Sequence, residues 1–115
     1  MRVVKMGSVS EFIRKKYGAR CSFPDPVIVV LNAGAAVQIL PNNPNRFAWT
    51  IQNMGAAIAY ISPRPDVGPL LGIQLAAVGG LIGFDADVDG PIPTHDQWGI
   101  GAGATTLVVW EVIGG

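Results

Sequence analysis

Charged side chains, cysteine and histidine are all scarce in this chain of 115 residues. Only 14% of the residues are charged, against about 25% in an average domain. Cys21 is the only cysteine and His95 the only histidine, so an intrachain disulfide is impossible and a structural zinc site would lack ligands. A surface this poor in charge favours contact with other protein, although the many Ala and Gly residues raise the apolar content without forming apolar patches.

Long hydrophobic runs are missing too. No apolar stretch approaches the ~18 residues that a membrane-spanning helix needs. The first eight residues are too polar for the hydrophobic core of a signal peptide. We therefore expect a protein that is made in the cytoplasm and has no membrane partner.

The motifs of catalysis and cofactor binding are also missing from the sequence. Cys21 would need a neighbouring base to act as a nucleophile, and only His95 is available. The glycine pairs at 79–80 and 101–103 lie between predicted strands and indicate turns, not phosphate-binding loops. We expect a protein that is not an enzyme and that has no cofactor.

The charge that is present is divided unevenly along the chain. Residues 1–22 contain six cations and one carboxylate, a net charge of +5, whereas residues 23–115 contain two cations and seven carboxylates, a net charge of −5. Pro24 and Pro26 separate the two parts. This pattern predicts a basic N-terminal arm over 1–26 and one domain over 27–115, with the arm directed at an acidic surface; a solvated tail is the alternative.

The arm contains the signals of a short helix over residues 8–18. Ser8 and Glu11 fit a capping box, and Gly18 is a typical helix end. Val9, Phe12, Ile13 and Tyr17 follow the spacing of one helical face. Because so short a helix is marginal in water, we expect it to form on binding. The candidate partner-binding residues of the arm are Phe12, Ile13, Tyr17, Arg14, Lys15 and Lys16.

From Val27 onward the sequence contains only strand and turn signals. Strands are predicted at 27–31, 35–40, 46–53, 57–62, 70–75, 81–84, 97–101 and 104–113. Alternation places Phe47, Trp49 and Ile51 on one face of their strand, with Arg46, Ala48, Thr50 and Gln52 on the other. Seven or eight short strands with Gly and Pro turns predict an all-β fold, either a β-sandwich or a jelly-roll-like barrel. Its expected core contains Trp49, Ile51, Tyr60, Val108 and Trp110.

The last predicted strand, 104–113, is apolar at almost every position. Such a run is typical of a central strand that is covered on both faces. The alternative is that one face of this strand lies in a subunit interface.

An acidic loop between two predicted strands resembles a calcium-binding loop. Residues 85–90 fit the pattern of alternating aspartates followed by glycine, and Asp96 falls at the twelfth position. The flanks are strand-like, however, and Pro91 and Pro93 stiffen the loop. The sequence predicts a solvated acidic turn here, with Asp85, Asp87, Asp89 and Asp96 as a weak candidate calcium site.

Nucleic acid and carbohydrate are weaker candidate ligands. The arm cations suit phosphates, but the domain is acidic and shows no basic stripe interleaved with aromatic residues. Trp49 and Trp110 lie in the middle of predicted strands, where they indicate core. Trp98 follows a loop and is the tryptophan best placed for exposure. We therefore expect nucleic acid binding to be absent and keep sugar binding as an alternative.

Three segments of the domain resemble the small β-sandwich virion proteins of tailed bacteriophages, a group that includes capsid decoration (cement) proteins. The first is the loop 39–46, Ile-Leu-Pro-Asn-Asn-Pro-Asn-Arg, which leads into strand 47–53. The second is the hairpin half 55–62, and the third is Asp89-Gly90-Pro91-Ile92-Pro93-Thr94, followed by the last strand. The resemblance covers most of 27–115 and does not include the arm.

The resemblance implies a virion location and oligomeric assembly. It leads us to expect a capsid decoration protein on the exterior of the head, most often a homotrimer, with the major capsid protein and itself as partners. In this role the protein would stabilise the head by bridging capsomers. Alternatives are another virion component (a tail, fibre-base or adaptor protein) and a β-sandwich module that binds sugar or calcium.

Overall fold

The computed structural model of the protein describes residues 21–114. The predicted arm helix, with Phe12, Ile13, Arg14, Lys15, Lys16 and Tyr17, lies outside the described residues. The strands are β1 (Cys21–Ser22), β2 (Val27–Leu31), β3 (Val37–Leu40), β4 (Arg46–Asn53), β5 (Ala59–Ser62), β6 (Ile73–Leu75), β7 (Gly80–Asp85), β8 (Gln97–Gly101) and β9 (Thr105–Gly114). A short helix, α1 (Ala86–Asp89), and a 3-10 turn (Ile92–Thr94) join β7 to β8.

These strands form two antiparallel sheets that pack as a β-sandwich. Sheet A has the order β1/β2, β9, β4, β7, where β1 and β2 lie end to end along the same edge of β9. Sheet B has the order β3, β8, β5, β6. The predicted all-β class is therefore confirmed, with the sandwich as the form that the fold takes. The two-residue strand β1 falls within the segment that the sequence assigned to the arm.

The core lies between the sheets. It is built from the residues that face inward at alternate positions along the strands of both sheets. Its largest members are Trp49, Ile51, Ile61, Leu31 and Leu107, each at most 2% exposed. The indole of Trp49 packs edge to face against Phe84 of β7, with ring centroids 5.2 Å apart. Trp49 and Ile51 are thus core residues, as the alternation in β4 predicted.

Asn53 at the end of β4 links the two sheets through polar contacts. Its Nδ2 donates to the carbonyl oxygens of Ala57 (2.8 Å) and Leu75 (3.3 Å), and its Oδ1 accepts from the Gly55 amide (3.1 Å) and Thr105 Oγ1 (2.7 Å). All four hydrogen-bonding positions of the buried amide are therefore used. Gly55 has to be glycine because Thr105 fills the space that a side chain would need.

Arg46 faces the interior, contrary to the simple alternation predicted for its strand. The register of β4 on β9 shifts between Arg46, which pairs with Ile113, and Ala48, which pairs with Val112. Phe47 is therefore an extra residue, a β-bulge, and it rotates Arg46 to the side of the sheet that holds Trp49.

The buried guanidinium of Arg46 is neutralised and hydrogen-bonded. Its Nε donates to Glu111 Oε1 at 2.7 Å, and Nη2 and Nη1 donate to the carbonyl oxygens of Pro41 (2.8 Å) and Pro93 (3.3 Å). These bonds tie β4 to β9, to the loop after β3 and to the 3-10 turn. Burial of a charge requires such partners.

Three residues expected in the core lie on the outer surfaces of the sheets. Tyr60 and Val108 are half-buried, and Trp110 is 48% exposed. In β9 the inward positions are Leu107, Val109 and Glu111, because their partners in β4 face the interior. Since the outward positions of β9 are also apolar, the hydrophobic pattern of this strand alone does not indicate which side is buried.

Candidate protein-binding face

The outward-facing surface of sheet A contains no charged side chain between its two ends. We call this surface the outer face. It comprises Ile28 and Val30 of β2, Thr106, Val108, Trp110 and Val112 of β9, Ala48, Thr50 and Gln52 of β4, and Leu81 and Gly83 of β7. The pairing registers place these residues side by side: Ile28 lies opposite Val108, and Thr50 lies between Trp110 and Gly83.

Several large apolar residues of the outer face remain exposed in the described structure. The exposed fraction is 67% for Ile28, 64% for Val30, 61% for Leu81 and 48% for Trp110. Single exposed apolar residues are common on proteins, but contiguous ones mark sites of interaction. The sequence left two alternatives for the apolar last strand: burial of both faces within the domain, or one face in a subunit interface. The exposure of Trp110 agrees better with the subunit interface.

A groove of about 300 Å³ crosses one end of the outer face. Phe23, which follows β1 and is 74% exposed, forms one wall, and Trp110 and Val112 of β9 line the groove with Ala48 and Thr50 of β4. Two aromatic rings beside the short side chains of Ala48, Thr50 and Val112 make a surface that suits a large apolar side chain of a partner.

The outward surface of sheet B is more polar. Gln38, Tyr60 and Gln74 lie on it together with Trp98 and Ile100. Trp98 is half-buried, and its Nε1 donates to Asp96 Oδ2 at 3.0 Å. The two faces of the sandwich therefore differ in character, and the apolar one is the stronger candidate for protein contact.

The acidic stretch adjoins the outer face at the end where β9 finishes. Asp85 is the last residue of β7 and pairs with Ala48, which in turn pairs with Val112. Asp85 caps α1, its Oδ1 accepting from the Val88 amide at 3.0 Å, and Asp89 Oδ2 accepts from the Asp85 amide at 3.0 Å. The stretch predicted as an open loop thus contains one helical turn that its own carboxylates stabilise.

The four aspartates of the candidate calcium site are not brought together as a ligand set. Asp96 accepts a hydrogen bond from Trp98, Asp85 accepts one from the Val88 amide of α1, and Asp89 accepts one from the amide of Asp85 itself. Among residues 21–114, no three His, Cys, Asp or Glu side chains are grouped so that they could hold a metal ion.

A cleft of about 250 Å³ opens between the two sheets at the edge formed by β6 and β7. Its lining is mostly apolar and includes Trp49, Ile61, Ile73, Ile82 and Phe84. His95 lies at the cleft and is exposed, as predicted for a surface loop. Trp49 Nε1 is buried, and none of the described residues accepts a hydrogen bond from it. The apolar lining does not suit a sugar, whose hydroxyl groups need hydrogen-bonding partners.

Sequence reasoning placed the candidate binding residues in the arm, and those residues fall outside the described part of the chain. It offers a subunit interface on one face of strand 104–113 as an alternative, but it places Trp110 and Val108 in the core and so does not identify the residues of the outer face. The signal that was available is the run of apolar residues at both parities of 104–113, which an exposed strand would not need.

No protein-family model matches the chain, and no curated protein matches its sequence significantly. Within the described residues, no helix is long and apolar enough to cross a membrane.

Proposed function

We propose that the protein is a structural component of a bacteriophage virion, specifically a capsid decoration protein that bridges capsomers on the exterior of the head. The observation that carries this proposal is the outer face of sheet A, which is uncharged between its two ends and keeps Ile28, Val30 and Trp110 exposed. An apolar face of this kind is stabilised when another protein covers it. The partners under this proposal are the major capsid protein and further copies of the chain.

The resemblance to small virion β-sandwiches supports the same role. The loop 41–45 that carries the resemblance is anchored in the fold, since the Asn43 amide donates to the Thr94 carbonyl oxygen at 2.9 Å and Pro41 accepts from Arg46. Two of the resembling motifs, 39–46 and 89–94, therefore contact each other at one end of the sandwich. A rigid end of this type suits a protein that has to hold its shape on a particle.

The proposal is tested by returning the protein to particles that have been stripped of it. Trp110→Glu places a charge in the outer face and should strongly reduce occupancy on the particle. Leu70→Glu is the matched control, because Leu70 is 96% exposed and lies in the loop before β6, away from this face. Equal occupancy of Trp110→Glu and the unmodified protein would refute the role of the outer face.

Electron microscopy of intact particles tests the location. Density for the protein on the outside of the head is expected at the capsomer junctions. Density on the tail or at the fibre base would instead support the alternative of another virion component.

A further inference from the structure

We infer that residues 8–18 of one copy of the chain bind the outer face of a second copy, so that the protein assembles by exchanging its N-terminal segments. This inference rests on the proposed assembly role of the outer face and names the segment that covers it. Three observations on the described residues support it: the direction of β1, the match between the segment and the face, and the position of the acidic residues.

β1 runs antiparallel to β9, so that its N-terminal end lies at one end of the outer face. Cys21 lies opposite Gly114 and Ser22 opposite Ile113. The N-terminal end of β1 is therefore level with the last described residue of β9. Residues 8–18 precede β1 in the sequence, so they join the domain at the end of sheet A where the groove lies.

The exposed groove of the outer face matches the apolar stripe of the segment. A helix of the length predicted for 8–18 is ~16 Å long, and the outer positions of β9 from Thr106 to Val112 span ~20 Å. The stripe contains two aromatic residues, Phe12 and Tyr17, and the groove is walled by Phe23 and Trp110. The segment thus has the length and the side chains to cover Trp110 and Val112.

The charges of the two partners are complementary. The segment has Arg14, Lys15 and Lys16 beside its apolar stripe. The receiving face carries one carboxylate, Asp85 at the groove end, and α1 with its aspartates follows it there. Apolar contact then supplies most of the affinity, and the cations select the orientation and speed the encounter.

Exchange in one direction makes a head-to-tail contact, in which each copy donates a segment and receives one. Contacts of this type close into rings when the rotation between copies allows it. The smallest ring that uses every segment and every face without a two-fold axis contains three copies. Binding of the segment to the face of its own chain would leave the protein monomeric.

Two full-length variants test the two sides of this contact separately: the N-terminal segment that binds, and the outer face that it binds to. The double variant Phe12→Glu/Ile13→Glu removes the apolar stripe and keeps the face, whereas Trp110→Glu damages the face and keeps the stripe. Sedimentation should show an oligomer for the unmodified chain and for the Leu70→Glu control, and a monomer for each variant alone. Mixed in equal amounts, the two variants should form a heterodimer, because one intact segment and one intact face remain.

The size of the effect follows from the groups removed. Burial of a large apolar side chain corresponds to a roughly 10- to 100-fold change in dissociation constant, so Phe12→Ala should weaken assembly by about that factor. Lys15→Ala should weaken it less, and raised salt should reproduce only the lysine effect, since exposed ion pairs are weak and screened.

Several outcomes would overturn the inference. An unmodified chain that is monomeric at every soluble concentration excludes exchange. An oligomer whose variants do not complement each other in the mixture assembles through another contact, and the particle-binding test of the outer face would still stand. If Trp110→Glu fails to fold, as judged by the fluorescence of buried Trp49, Thr50→Lys takes its place, because Thr50 pairs with Trp110 on the outer face.

Discussion

Arg46 forms a buried ion pair that contributes to the stability of one end of the sandwich. Its side chain is 1% exposed and paired with Glu111, which is 14% exposed, whereas the Arg64–Asp66 pair is 75% and 50% exposed. A buried pair that loses one partner leaves an uncompensated charge, while an exposed pair loses little. The two arginine–carboxylate pairs therefore allow a direct comparison of a buried ion pair with an exposed one in the same protein.

We predict that Arg46→Met lowers the free energy of unfolding by about 3–5 kcal/mol, and that Arg64→Met lowers it by about 0–1 kcal/mol. Urea unfolding of both variants measures the difference. The double variant Arg46→Met/Glu111→Leu should recover part of the loss, because it leaves no buried charge without a partner. Equal losses for the two arginines would contradict this account of Arg46.

Val78 has a strained backbone conformation that lowers the stability of the fold. Its φ is 56°, the left-handed region that β-branched residues avoid, and its side chain is 78% exposed. The turn is held there by hydrogen bonds, since the Val78 amide donates to the Gly55 carbonyl oxygen (2.9 Å) and the Gly79 amide to that of Asn53 (2.6 Å). The side chain itself adds no packing that offsets the backbone strain.

We predict that Val78→Asn raises the free energy of unfolding by roughly 1 kcal/mol, because Asn tolerates the left-handed region better than Val. Thermal unfolding of the variant provides the measurement. Val88→Asn is the control, since Val88 is 79% exposed but lies in α1, where the backbone is right-handed. A gain at Val88 as large as that at Val78 would mean that the effect is not conformational.

At the scale of elements, sequence patterns predicted most of the strands. β2 (Val27–Leu31) and β4 (Arg46–Asn53) have the predicted bounds, because Pro, Asn and Gly turns flank both and β-branched or alternating residues fill them. β6 is shorter than predicted, Ile73–Leu75, since it pairs only with β5 at the edge of sheet B. These elements follow from local rules.

The side of each strand that faces the core was predicted less well than the position of the strands in the sequence. The bulge at Phe47 turned Arg46 inward, and no local sequence signal marks a bulge of this kind. Trp110 was placed in the core because tryptophan in an apolar strand is usually buried. Which side of β9 faces the core depends on pairing with β4, a long-range contact. The pattern of β9 thus indicates an interface on one face of the strand as one of two alternatives, whereas the identity of the exposed face follows from the pairing with β4.

The helical turn α1 gives a prediction about calcium. The carboxylates of Asp85 and Asp89 accept hydrogen bonds from the Val88 and Asp85 amides, and that of Asp96 accepts one from Trp98. Coordination of calcium by these aspartates would have to break these hydrogen bonds. Because a metal that binds only the folded state raises its stability by mass action, added calcium should leave the melting temperature unchanged. A rise of several degrees that a chelator reverses would show that the calcium-loop pattern is functional.

At the scale of the whole molecule, charge and apolar surface are arranged along one axis. The acidic residues Asp85, Asp87 and Asp89 lie with Arg46 and Gly114 at the same end of the sandwich. The basic segment joins the domain at this end through β1. Neutral overall charge thus combines two opposite charged parts, an arrangement that favours contact between copies.

Among the described residues, the buried core cluster extends from Leu31 to Val109, so we predict that a chain beginning at Cys21 folds into the same sandwich. It should unfold cooperatively in urea, with a midpoint close to that of the full chain measured at low protein concentration. A chain beginning at Pro26 should be less stable by about 1 kcal/mol, because it lacks β1 and the bond from Ser22 Oγ to the Ile113 carbonyl oxygen, 3.2 Å long.

The same two chains also test the link between stability and assembly. Partners that bind only the folded state raise the melting temperature with concentration. If segments are exchanged, the melting temperature of the full chain should rise with protein concentration, and that of the chain beginning at Cys21 should stay constant. A shortened chain that does not fold would mean that residues 1–20 stabilise their own domain, and a concentration-independent full chain would place the segment's partner outside the protein.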